Sequence, residues 1–196
     1  MKQAKRSDKQ LVTSILAGAF NDNKSVNYIV QQDGKRQQRI RLLMDYSFEV
    51  CYLFGKVYLS DDDKACALVL YPHKKKFSFY SAWLDLKLAL QVIGISRIAS
   101  VLKREQLVKA QHPQTTFTYL WFIGVEPGFT GKGLGTKMLK HIMEESRGNQ
   151  LPVYLETSTE KNFGWYEKLG FEAYHEFTEP YRLVFYKLAG IGRSRG

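Results

Sequence analysis

Residues 125–139, VEPGFTGKGLGTKML, set Gly131, Gly133 and Gly135 at alternate positions, with Lys132 between the first two. Glycine weakens a helix and gives up more backbone entropy than any other residue. Three in five residues therefore point to a backbone that something approaches closely. The run TFTYLWFIGV before them reads as a strand, and Met138, Leu139, Ile142 and Met143 after them mark one face of a helix. Strand, glycine turn and helix together present free N–H groups and the positive end of a helix dipole, the chemistry of an anion site. Thr130, Gly131, Lys132, Gly133, Leu134, Gly135 and Thr136 are the candidate contacts, with Lys137 as a further charge. The spacing fails Walker A, because position 126 is Glu and Gly133 follows Lys132. It fails the Rossmann pattern too, being G-x-G-x-G. A phosphate loop of another kind and a tight turn without a ligand both fit the residues alone.

Other groups could do proton chemistry. Glu156 ends the strand PVYLET and is a candidate general base or a salt-bridge partner. His112, in QHPQ before the TFTYLWFIGV strand, is of the residue type whose ordinary charge change lies near neutrality, and it is a candidate substrate contact or an inert loop histidine. Gly124, amid bulky strand residues, marks a bulge or a close ligand. Cys51 and Cys66 lack metal spacing and any activating neighbour, so they read as reduced structural thiols; no metal site is expected. Phe77, Tyr80 and Trp83 could line an acceptor pocket or pack as an aromatic helix face.

The elements that must position these groups follow from periodicity. Residues 8–20, 24–31, 35–54, 77–91 and 95–110 read as helices, the last two separated by Gly94. Residues 56–60 and 66–72 flank the polar DDDK as a hairpin, 152–157 is a strand, 159–170 a short helix stopped by Gly170, and FEAYHEF and YRLVFYKL close the chain as strands. One α+β domain over residues 1–196, helix-rich in its first half, accounts for the pattern. At 44% hydrophobic and 24% charged, with no apolar run of membrane-spanning length, the chain is of the soluble globular class. No leader peptide is expected, and a cytoplasmic location is. The net charge of +10 suits anionic partners, but its residues are scattered apart from HKKK at 73–76 and the terminal RSRG. With no RNA-binding or zinc-finger signature, neither nucleic acid nor a membrane is an expected partner.

The glycine loop resembles the acetyl-CoA loop of the GNAT N-acetyltransferase superfamily, V-x-P-x-x-[QR]-G-x-G-[IL]-G. YLETSTEKNFGWYEKLGF, residues 154–171, is similar to that family's later motif, a strand followed by N-x-x-x-Y-E-[KR]-x-G-F. The L-E-T-S…N…Y-E-x-L-G-F arrangement resembles the branch around puromycin N-acetyltransferase. The likeness covers residues 117–175 well and says little about 1–55 or 77–110. It implies a mostly antiparallel mixed sheet, splayed at the acetyl-CoA site and flanked by helices. It implies acetyl transfer from acetyl-CoA to the primary amine of a small molecule or peptide, with a non-catalytic acyl-CoA sensor as the alternative, and homodimers as a frequent assembly. It places pantetheine along Ile123, Gly124 and Val125, with Asn162 either bonding its amides or capping a helix, and makes Tyr166 the general acid for the leaving thiolate. Tyr119 stands where histone-type members carry a catalytic glutamate, so it would relay through water or shape the substrate. Thr130 replaces the usual Gln or Arg while still supplying its amide.

Overall fold

The computed structural model describes residues 1–188; the basic RSRG at 193–196 lies outside them. Its frame is a seven-stranded sheet in the order β1-β2-β3-β4-β5-β7-β6. These strands are β1 (Lys2–Gln3), β2 (Gly55–Leu59), β3 (Ala65–Leu70), β4 (Thr118–Val125), β5 (Val153–Thr157), β6 (Glu172–Phe177) and β7 (Leu183–Leu188). Every neighbouring pair is antiparallel except β4 and β5. Helices α1 (Lys9–Ala19), α2 (Lys24–Ile29), α3 (Arg36–Phe54), α4 (Phe79–Leu88), α5 (Ile98–Ala110), α6 (Leu134–Gly148) and α7 (Phe163–Lys168) cover it. Among the described residues no helix is long and apolar enough to cross a membrane.

Alternation in the strands separates two cores. On one face, Val12, Ile15 and Leu16 of α1 and Ile40, Leu43, Met44, Phe48 and Cys51 of α3 pack on Leu68, Tyr119 and Phe122. On the other, Met138, Leu139 and Ile142 of α6 and Tyr166 of α7 pack on Leu120, Val153, Leu155 and Tyr186. Helical spacing in each helix and two-residue spacing in each strand put these residues on facing surfaces. Each fully buried aliphatic side chain contributes about 1.5–3 kcal/mol. Glu145 pins α6 to the sheet edge: Lys56 Nζ lies 2.7 Å away, Tyr71 donates at 3.3 Å, and Tyr58 also donates to it. Glu49, 3% exposed on α3, holds Lys9 at 2.8 Å and Arg6 at 2.6 Å, tying the first turns of the chain to α3. Burial pushes the Glu49 carboxyl up, but hydrogen bonds from Lys9 and Tyr80 and the charges of Lys9 and Arg6 outweigh it and hold the group below the ordinary carboxylate range.

Two irregularities in β4 open the sheet. The register with β3 slips between Leu68/Val69, which leaves Trp121 as an extra residue in β4. This is a β-bulge, and it turns Trp121 and Phe122 to the same face, where their rings meet at 5.5 Å. Next to it, β4 and β5 pair only at Thr118↔Val153 and Tyr119↔Tyr154. Beyond Tyr119 the two parallel strands part, so one edge of residues 120–125 carries no neighbouring strand. The 47 residues joining β3 to β4, numbers 71–117, hold α4 and α5. Val108 of α5 packs with Leu183 and Phe185, which places α5 on the same face as α1 and α3.

Candidate active site

A cavity of about 860 Å³ fills the fork between β4 and β5 and crosses the sheet. On one face it is lined by Gly18–Phe20 at the end of α1, by α2, and by Val101, Arg104, Glu105 and Val108 of α5. On the other face lie the glycine loop, Asn162, Trp165 and Tyr166. Two reactants can therefore meet at the fork from opposite sides.

The loop leaves open space and unpaired donors at the start of α6. Gly131 and Gly133 sit at φ +79° and +77°, where a side chain is strained, and a Cβ at either would meet nothing within 4 Å. Gly133 is the N-cap of α6, and the first intrahelical bond runs from Lys137 N–H to its carbonyl at 2.9 Å. The amides of Leu134, Gly135 and Thr136 thus face outward without intrahelical acceptors. Gly135 differs: it lies inside α6, where a Cβ would stand at ordinary contact distance, 3.7 Å from Trp165 and Val125. Thr136 Oγ1 accepts a hydrogen bond from Trp165 Nε1 at 3.0 Å, joining α6 to α7. Lys132 lies over the Phe129 ring at 4.5 Å, and Lys64 lies over it at 4.7 Å.

Along the open edge, direction is set by one bond. Glu126 N–H donates to Lys64 C=O at 2.8 Å, toward β3. Alternation then aims the amides of Val125 and Ile123 into the fork and that of Gly124 at β3. A side chain at Gly124 would stand 2.9 Å from Leu16 Cδ2 and 3.2 Å from Ala19 Cβ. Gly124 is there to admit α1, and the bulge it seemed to mark lies three residues earlier, at Trp121. Ile123, Gly124 and Val125 all border the cavity, and the amides of the outer two face the fork.

Three titratable side chains gather at the base of the fork. Tyr119 OH donates to Glu156 Oε1, bridging the strands just past their last paired residues. His112 Nε2 lies 3.6 Å from Glu156 Oε2 and has no hydrogen-bond partner. The His112 ring packs on Tyr119 at 5.0 Å and Phe117 at 5.5 Å. Burial, and then the negative charge of Glu156, pushes the Tyr119 hydroxyl well above its ordinary range, so it stays protonated. Across the fork, Tyr166 is 4% exposed and burial raises its pKa too. Among the described residues its hydroxyl has no hydrogen-bond partner, although it borders the cavity. Asn162 makes no side-chain cap on α7, leaving its amide free toward the cavity.

Three expected acceptor residues lie elsewhere. Trp83, 58% exposed, and Tyr80, 41% exposed, stand on the outer surface of α4 and do not border the cavity. Phe77 and Phe79 are also exposed there. α2 and α5 take their place, with Tyr28, Arg104 and Tyr181 as lining residues that the sequence reading missed. The α1–α2 connection is fastened to the end of β5 by Asn23 Nδ2 to Thr159 Oγ1 at 3.1 Å and Ser25 Oγ to Ser158 Oγ at 3.0 Å. Asn23, as the N-cap of α2, leaves a sequence signal; its bond to Thr159 leaves none.

The forked sheet, glycine loop and α6 have known counterparts. A sequence profile described as the acetyltransferase (GNAT) family matches residues 58–171, more than half of the chain. The chain belongs to the GNAT acetyltransferase family. Over 63 residues it is 36% identical to the 5-NmdU N-acetyltransferase of Pseudomonas phage PaMx11, a match covering 32% of this chain and 43% of that relative. The match thus spans less than half the length of that relative. Among solved structures, histone acetyltransferase HPA2 and related acetyltransferase from Corynebacterium glutamicum superposes with a TM-score of 0.69 at 14% identity, over 98% of this chain and 97% of the other. Arylalkylamine N-acetyltransferase 2 from Aedes aegypti gives 0.62 at 17% identity, over 97% and 98%. At these identities the likeness shows a shared GNAT fold, including the α+β sheet expected from the sequence.

Proposed function

We propose that this GNAT acetyltransferase moves the acetyl group of acetyl-CoA directly to a primary amine. The observation that carries this reading is the cavity through the fork, with unpaired loop amides on one face and Glu156, His112 and Tyr119 on the other. The cradle fits a pyrophosphate: open space at Gly131 and Gly133, and first-turn amides directed outward. The amides of Ile123 and Val125, with the Asn162 side chain, suit the amide groups of pantetheine. When bound, acetyl-CoA would supply the activated thioester.

The chain's own residues would divide the proton traffic. Glu156, oriented by Tyr119 and backed by His112, takes the proton that an ammonium must lose before it can attack. Tyr166, protonated because it is buried, donates to the departing thiolate. The helix walls on both faces would hold the reactants in one orientation. The phage relative, named an N-acetyltransferase, supports an amine acceptor. Puromycin enters the acceptor screen on the L-E-T-S motif alone. A non-catalytic sensor is not favoured, since a cofactor-only module has no use for the Glu156 cluster on the opposite face.

Thermal shift with CoA and acetyl-CoA tests the cofactor, with ATP and NAD as controls. At about a hundredfold above Kd, either CoA species should add about 2.7 kcal/mol. Thiol release with a panel of amines then tests transfer. No shift with either CoA species on folded protein would overturn the assignment.

A further inference from the structure

Arg104, on α5, borders the cavity on the face opposite the glycine loop. Its guanidinium carbon lies 4.5 Å over the Phe177 ring and 5.3 Å from that of Tyr181. Its Nε and Nη2 are buried and have no hydrogen-bond partner, and no carboxylate among the described residues forms an ion pair with it. The carboxylates on this side of the cavity are otherwise engaged: Glu105 with Lys109 at 3.1 Å, and Glu156 with Tyr119 and His112. Arg97, on the same side, is engaged too, donating to the Val30 carbonyl at 2.7 Å and to that of Tyr28.

Shielded N–H donors of a cation with no acceptor are costly in a folded chain. Aromatic stacking fixes the plane of the fork-shaped group but satisfies none of its donors, and a planar guanidinium presents paired N–H groups to carboxylate or phosphate oxygens. Tyr28 stands edge-on to Tyr181 at 5.8 Å and supplies a flat apolar wall beside it. Resting on the amine-acetylation reading, we infer that the acceptor carries an anionic group, carboxylate or phosphate, on a flat body, and that Arg104 binds that group while the amine lies at Glu156. Arg104 is then a specificity residue, touching the acceptor at the end remote from the reaction.

The test uses three benzylamines differing only at the para position: hydroxymethyl, carboxymethyl and phosphonooxymethyl. Turnover with acetyl-CoA is measured beside calorimetric binding in the presence of CoA, for the wild type, Arg104→Gln and Arg104→Lys. At least one anionic compound should exceed the neutral one by about tenfold or more in kcat/KM and in affinity, the equivalent of one bidentate contact. That ratio should fall toward one in Arg104→Gln and recover in part in Arg104→Lys, with Tm showing that both variants fold. Turnover without anion preference, or a preference that Arg104→Gln leaves intact, overturns the Arg104 assignment and spares acetyl transfer. Anion-selective binding lost in Arg104→Gln, with no turnover of any amine, keeps the Arg104 site and overturns acetyl transfer. Absence of both turnover and anion preference overturns both. A preference confined to one of the two anions identifies the group.

Discussion

Tyr166 is where the proposed proton donation can be tested on a single hydroxyl. Its ring is a core residue, packed 5.6 Å from Phe171 and 5.6 Å from Tyr186, yet its hydroxyl bonds to nothing described. A tyrosine kept only for packing could be phenylalanine at no cost. Tyr166→Phe should therefore leave stability within about 1 kcal/mol, since no hydrogen bond is lost, while kcat falls by about 10²–10⁴-fold if the hydroxyl is the general acid. CoA affinity should change little. A variant with unaltered turnover would remove Tyr166 from the mechanism and leave the acid to solvent. Tyr119 is the instructive contrast: its hydroxyl is already given to Glu156, so it positions the carboxylate.

At the scale of elements, the glycines divide by cause, and the cause predicts each variant. Gly133→Val would force a β-branched residue into φ +77° at the helix N-cap, a strain of roughly 1–2 kcal/mol, and would put bulk at the mouth of the amide cradle. Gly135→Ala places a methyl group at ordinary contact distance, 3.7 Å, from Trp165 and Val125, and relieves a helical glycine by about 0.5–1 kcal/mol. Gly133→Val should lose CoA binding while still folding, and Gly135→Ala should keep its Tm or raise it; thermal melts with and without CoA separate the two. Equal CoA affinity in Gly133→Val and wild type would mean that the loop is only a turn. The loop and α6 were legible in the sequence because positive φ and amphipathic spacing are local. The strands were legible from their runs, apart from β1, whose two residues are too few for a pattern. The approach of Leu16 and Ala19 to Gly124 left no signal, because they lie more than a hundred residues away in the chain. Trp83 and Tyr80 were misread because aromatic content says nothing of which way a helix faces. Arg104 left no signal at all, since one arginine among 29 basic residues is singled out only by the two rings that the fold stacks on it.

For the molecule as a whole, the decisive feature is that two faces of one sheet communicate through the fork. The loop and α7 approach from one side, α1, α2 and α5 from the other, and the Glu156 cluster lies where they converge. Such a plan lets donor and acceptor be held at once, so that no acyl group needs to rest on the protein. The thiols agree with this. Cys51 and Cys66 are both wholly buried, Cys66 Sγ faces the Val12 carbonyl at 3.8 Å, and burial pushes both thiols above their ordinary range, away from the reactive thiolate. Neither borders the cavity. Initial rates measured across acetyl-CoA concentrations, at several fixed amine concentrations, should therefore give intersecting double-reciprocal lines, the pattern of a ternary complex. Replacing both cysteines by alanine should leave that pattern in place. Parallel lines, with an acetylated protein detected by mass spectrometry after exposure to acetyl-CoA alone, would instead require a nucleophile on the chain and would separate the two half-reactions in time. Intersecting lines, in contrast, would mean that both reactants are held at once, as a cavity open to both faces of the sheet where β4 parts from β5 allows.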